Sequence, residues 1–116
     1  MKRLFHLSSP AAWDAAKATG SLEPASLASE GFVHLSYGDQ VAGTLAVHCA
    51  RGRSEVQELL LLELDAAALG AKLVVEPSRG GALFPHLYRA LVPADVVAVH
   101  RIARGDGDLW DLPPLG

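Results

Sequence analysis

An α+β domain is the fold class this sequence predicts, and three observations carry it. The first half holds two segments of helix-forming composition set between capping and stop residues. From residue 58 onward the pattern changes to short runs rich in Leu and Val, separated by Gly and Pro, which read as strands. Half of the 116 residues are apolar, enough for a chain of this length to enclose one core. No linker-like stretch interrupts residues 1–103, which form one domain. Residues 104–116 are polar and proline-rich apart from Trp110 and are expected to be a loose tail.

Taken in order, residues 2–8 form a first strand. Ser9 is placed to cap a helix, Pro10 suits its first position and Gly20 its stop, with an Ala-rich body between them. Residues 21–29, with Pro24 and several Ser, read as irregular. Gly31 then punctuates, and residues 32–36 read as a second strand. Tyr37, Gly38, Asp39 and Gln40 lead into a second helix in which Val41, Leu45 and Cys49 recur every four residues, and Gly52 ends it. Residues 58–65 are a continuous Leu run, a strand buried on both faces. Residues 66–70 make a turn, 72–76 a short strand, and 77–81 a loop whose paired glycines expose backbone amides. Residues 83–91 are extended, and Pro85 within them predicts an edge or a bulge. Residues 96–102, rich in β-branched side chains, close the sheet.

Composition narrows the function classes. The formal charge is -3 and the ten Lys and Arg are scattered, which disfavours a nucleic-acid groove. No apolar run is long enough to span a bilayer, and the apolar residues 5–7 behind the basic start are too few for a signal-peptide core. One cysteine, Cys49, allows no internal disulfide and fits a reducing compartment. The expectation is a soluble cytoplasmic protein whose partner is a small molecule.

Three apolar stretches each carry a histidine: Phe5-His6-Leu7-Ser8, Phe32-Val33-His34-Leu35-Ser36 and Phe84-Pro85-His86-Leu87-Tyr88. With the period-two alternation of a strand, His6 pairs with Ser8, His34 with Phe32 and Ser36, and His86 with Phe84 and Tyr88. A buried polar group without a partner costs about 1–3 kcal/mol, so imidazoles kept beside hydroxyls on several strands predict a polar pocket. Gln40 lies four residues past Ser36, and Tyr88 can stack on a planar ring while offering a hydroxyl. His48 reads as surface and His100 as structural. Glu63 and Asp65 share a face at the end of the Leu run, where a carboxylate could act as a base or hold a ribose hydroxyl. No His-x-x-x-His or Cys-x-x-Cys spacing is present, so no metal is expected. No Gly-x-Ser-x-Gly elbow occurs, and Cys49 and His48, adjacent on a helix, do not face each other. A phosphate-cradling Gly-rich loop before a helix is also missing.

Residues 26–36 (SLASEGFVHLS) with Gln40, residues 61–65 (LLELD) and residues 80–88 (GGALFPHLY) resemble the DUF952 family of small uncharacterised bacterial proteins, and the likeness runs from Arg3 to Ile102. The resemblance implies an ADP-ribosyltransferase-like fold, a split mixed β-sheet with two N-terminal helices and a nicotinamide-nucleotide cleft. Strand order then gives His6 to the nucleotide ribose and His34 with Ser36 to the nicotinamide side, with His86 or Tyr88 near the stacked ring. It also implies a carboxylate that orients a ribose hydroxyl, but Ala82 stands where related sequences often have Glu, leaving Glu63 as a substitute. The resulting expectation is a cleft binding NAD or an ADP-ribosyl compound. His6, His34 and Glu63 would be catalytic, and Ser8, Ser36, Gln40, His86 and Tyr88 would bind ligand in a transferase or glycohydrolase. One alternative is a non-catalytic module for a nucleotide or metabolite; another is a metal-dependent hydrolase built on the three histidines.

Overall fold

The computed structural model describes residues 3–48, 58–104 and 110–115. Two sheets organise the described residues. The larger has the order β3-β1-β4-β7, from Ser36–Tyr37 (β3), Arg3–Ser8 (β1), Glu58–Asp65 (β4) and Val96–Ala103 (β7). The smaller has the order β2-β6-β5, from Val33–His34 (β2), Leu83–Leu87 (β6) and Leu73–Pro77 (β5). All pairings between these strands are antiparallel, so the mixed sheet expected from the resemblance is replaced by two antiparallel ones. The short link between β5 and β6 allows nothing else, since parallel neighbours need a long crossover.

Helix α1 (Pro10–Thr19) forms where cap, proline and glycine predict it. Ser9 Oγ accepts from the Ala12 N–H at 3.0 Å. Gly20, at φ 91°, takes the left-handed conformation that lets its N–H close the helix on the Ala16 carbonyl. A second short helix, α2 (Ala25–Glu30), occupies the segment read as irregular. Six Ser- and Ala-rich residues are too few to announce a helix by periodicity. Its signal was the stop, since Gly31 at φ 89° bonds to the carbonyls of Ser26 and Leu27. Helix α3 (Val41–His48) follows a single 3-10 turn and buries Val41 and Leu45. Among the described residues three helices therefore precede β4, rather than two. Cys49 and Gly52 lie outside the described residues. The turn expected after β4 is a one-turn helix, α4 (Ala66–Leu69), capped by Asp65 Oδ1 on the Ala67 N–H.

The expected strand of residues 32–36 is divided. β2 pairs with β6, whereas β3 pairs with β1, so the chain leaves one sheet for the other at Leu35. Pro85 sits on the central strand of the smaller sheet, not on an edge. Its carbonyl receives the Leu35 N–H at 3.1 Å. In an antiparallel strand a residue's N–H and C=O point to the same side, so the donor that proline lacks faces the point where β2 has already ended. The bond given up is the one to the Leu35 carbonyl just past the end of β2, and the ladder to β5 loses none, which is why a central proline is tolerated.

Each face of the larger sheet carries its own apolar cluster. Leu4, Leu60, Leu62 and Leu64 join Ala16 of α1 and Val33 and Leu87 of the smaller sheet in the first. Phe5, Leu59, Leu61 and Ile102 join Val41 and Leu45 of α3 in the second. The tail, expected to be loose, packs against that second cluster through Trp110, Leu112 and Leu115.

β4 is one of the two inner strands of the larger sheet, and Leu62, fully buried, lies between His6 of β1 and Val99 of β7. Leu62→Ala is expected to destabilise the fold by about 2–5 kcal/mol through lost burial and the cavity left behind. Urea unfolding checks this, the midpoint falling with little change in slope.

Candidate functional site

His6 stands where the two sheets meet. On β1 it shares a face with Leu4 and Ser8, and its Nδ1–H donates to the backbone carbonyl of His34 on β2 at 2.9 Å. A carbonyl can only accept, so Nδ1 carries the proton and the neutral ring keeps Nε2 as an acceptor. Burial holds the imidazole below its ordinary pKa; the bond to the His34 carbonyl works against this, and the nearby His34 charge adds to it. His6 is one wall of a cavity of about 340 Å³ also lined by Ser8, Ser9, Ala12, Leu22 and Glu23. Ser8 Oγ donates to the Ser9 carbonyl, and Ser9 Oγ is committed to its helix cap.

A second group of side chains lies beyond β2. His34 and His86 are paired in register, on the face of the smaller sheet opposite Val33 and Leu87. Their rings meet edge to face at 5.3 Å. Phe32 stacks on His86 with centroids 3.9 Å apart and planes 17° apart, and it also touches His34 at 4.9 Å and Tyr88 at 5.2 Å. Each histidine has its own carboxylate. His34 Nε2–H donates to Glu30 Oε2 at the end of α2, and His86 Nδ1–H donates to Glu76 Oε1 on β5, both at 2.7 Å. The Tyr88 hydroxyl donates to the same Glu76 oxygen. That bond, with the one from His86, holds the Glu76 carboxyl below the usual carboxylate range, and it raises the Tyr88 phenol. His86 is 3% exposed, and its Nε2 is buried without a hydrogen-bond partner. His34 is half exposed.

The other expected site residues lie elsewhere. Because the chain changes sheets at Leu35, Ser36 does not share the surroundings of His34; its hydroxyl is buried against Thr44 Oγ1 at 3.0 Å on α3. Gln40 ties backbone together, accepting from the Tyr37 N–H and donating to the Leu83 carbonyl at 2.8 Å. Glu63 lies on the opposite face of the larger sheet from His6. There it is ion-paired with Arg3 Nε at 3.3 Å and accepts from His100 Nε2 at 2.7 Å, bridging the strands on either side of β4. Ala82 is exposed, one residue before β6. Cys49 and the side chain of His48 lie outside the described positions.

Phe32, Glu30 and Glu76 escaped the sequence reading as site residues. Glu30 is near His34 in the chain, but only the helix ending at Gly31 brings it onto the ring. Glu76 reaches His86 through the β5–β6 register, which no local pattern encodes. Among the described residues no group of three or more His, Cys, Asp or Glu is placed to hold a metal ion, and no helix is long and apolar enough to cross a membrane.

Fold and site together define an α+β protein with two antiparallel sheets, joined at a histidine and flanked by a Glu–His–aromatic cluster. The chain belongs to the DUF952 family, a family of proteins of unknown function, whose model matches residues 7–99. It is similar to the protein CC0527 from Caulobacter crescentus: against the crystal structure the identity is 37% and the TM-score 0.82, with 94% of this chain and 93% of that one covered. The solution NMR structure of CC0527 gives 38% identity and a TM-score of 0.78 over 94% and 91% of the two chains. No curated protein matches the chain.

The depressed pKa of His6 sets a pH dependence. Its folded value lies below the unfolded one, about 6.5, so the unfolded chain binds more protons over the interval between them. The stability tied to His6 is therefore full above about pH 6.5 and declines as pH falls below it. His6→Asn, which keeps a donor near Nδ1 but cannot titrate, is expected to flatten the wild-type decline in Tm between about pH 7 and pH 5. Superimposable slopes for the two proteins would refute the assignment.

Proposed function

We propose that this protein binds a nicotinamide nucleotide, NAD or a related ADP-ribosyl compound, along the junction of its two sheets, in an ADP-ribosyltransferase-like frame. The observation that carries this reading is the bond from His6 to the His34 carbonyl. It makes His34 common to two unlike environments: its backbone holds the neutral His6 beside a cavity, while its ring belongs to the aromatic cluster. One end of the ligand meets hydrogen-bonding groups and the other meets stacking surfaces, which matches the sugar and ring portions of a dinucleotide.

At the cavity, His6 Nε2 and the Ser8 hydroxyl suit ribose hydroxyls. Glu23 on the same wall opposes a phosphate there. At the other end, Phe32, His86 and Tyr88 offer ring faces. His34, half exposed between them and paired with Glu30, is the histidine a ligand reaches from solvent.

The non-catalytic alternative draws support from the carboxylates. Cleavage of a glycosidic bond develops positive charge that a preorganised carboxylate stabilises. Position 82 is Ala, and Glu63 is turned to the far face with Arg3 and His100. Binding with slow or absent nicotinamide release is the behaviour these placements favour.

Titration with NAD, followed by amide and imidazole NMR signals, is expected to give saturable shifts at His6, His34 and residues 83–88. His6→Ala is expected to weaken binding roughly tenfold, the value of one good hydrogen bond to a ligand hydroxyl. Absence of any shift at millimolar NAD would remove nicotinamide nucleotides as the ligand.

A further inference from the structure

We propose, building on the nucleotide reading, that Glu76 is the specificity-determining group of the aromatic end, and that this end takes a planar cationic ring of the pyridinium class in preference to an uncharged ring of the same shape. Three features of the cluster argue for it. Phe32 and Tyr88 supply π-faces, which attract a cation placed over them. Glu76 adds a carboxylate held in place by two donors on one oxygen, from His86 and Tyr88, so that Oε2 takes no bond within the cluster and the side chain keeps partial exposure. Glu30, paired with His34, whose ring also meets Phe32, contributes a second negative charge.

The buried and unpartnered Nε2 of His86 points independently to a ligand. A polar atom left without a partner in the interior carries a desolvation cost that a bound group can relieve. A carboxamide offers both a donor and an acceptor, so it can satisfy Nε2 whether or not that nitrogen bears a proton. Phe32 covers one face of the His86 ring, whereas Nε2 hydrogen-bonds in the plane of that ring. A pyridinium carrying a carboxamide satisfies each feature: it is planar, positively charged, and bears the required polar group. The reduced dihydropyridine keeps the carboxamide but loses the charge.

The test uses two small probes of nearly the same shape, 1-methylnicotinamide, which is cationic, and nicotinamide, which is neutral. Binding is followed by NMR at pH 8 and low ionic strength. The cation is expected to bind roughly tenfold more tightly, the combined reach of a cation–π contact and a nearby carboxylate. Glu76→Gln should cut the preference to about threefold, what the aromatic faces alone supply, while the far cavity signals of His6 and Ser8 stay in place. If Glu76→Gln does not fold, the wild-type preference is measured up to about 1 M salt, where the screening length is about 3 Å; a carboxylate-based preference declines and a shape-based one does not. Equal binding of both probes, no binding of either, or a preference that persists undiminished in folded Glu76→Gln or in high salt overturns the inference. NAD titrated in parallel separates the two claims. NAD binding without a cation preference sinks the role of Glu76 and leaves the nucleotide reading, whereas a cation preference without NAD binding does the reverse.

Discussion

The passage of the chain from one sheet to the other at Leu35 is the constraint on which the rest of the structure depends. Two hydrogen bonds pin it, from the Leu35 N–H to the Pro85 carbonyl and from His6 Nδ1 to the His34 carbonyl. Between them they account for polar backbone that would otherwise be stranded where both strands end. They also explain two residues that seem out of place in strands. Proline is accepted on the central β6 because its missing donor faces the gap, and histidine is accepted on buried β1 because its ring replaces a ladder partner. A leucine at position 6 would bury well against Leu62 but leave the His34 carbonyl without this donor.

The same switch explains where the sequence could be read and where it could not. Helix α1 and strand β4 match their expected extents because their signals are local: a capping serine, a proline at the first position and a glycine stop for one, an unbroken Leu run for the other. Period-two alternation fails across residues 33–37 because it presumes one continuous strand, and nothing in Val-His-Leu-Ser-Tyr records that its halves pair with different partners. The alternation therefore groups His34 with Ser36, whereas the structure sends one to the Glu30 and Phe32 side and the other to Thr44. The three histidines were legible as unusual; their carboxylate partners were not, since those depend on the end of a six-residue helix and on strand register.

The glutamates divide between two kinds of work. Glu63 is shared by Arg3 and His100, from the strands flanking β4, and so clamps three strands of the larger sheet together. Both of its oxygens are occupied, which suits a structural tie. Glu76 takes both of its side-chain donors on one oxygen and remains partly exposed at the edge strand β5. Carboxylates bonded on every side serve the fold, whereas one with an open oxygen beside aromatic faces can still serve a ligand. Arg89 and Asp95 belong to the first kind: paired at 2.8 and 3.1 Å, with Asp95 also accepting from the Val92 N–H, they brace the connection from β6 to β7.

This division bears on why the two ends of the site differ in charge. At the cavity the principal group is an imidazole whose burial keeps it neutral, with hydroxyls beside it. In the cluster two carboxylates each hold an imidazole, and the rings pack against one phenylalanine. A ligand lying across His34, as proposed, would pass from a hydrogen-bonding environment that holds one carboxylate, Glu23, to an aromatic one that holds two, Glu30 and Glu76. Such a gradient orients a molecule whose two ends differ in charge, because the reversed pose would place an anionic group against Glu76 and lose the stack as well. In the proposed reading His34 performs the coupling: its carbonyl holds His6 in one tautomer and its ring meets that of His86, so a change that moves this one residue would alter both ends together.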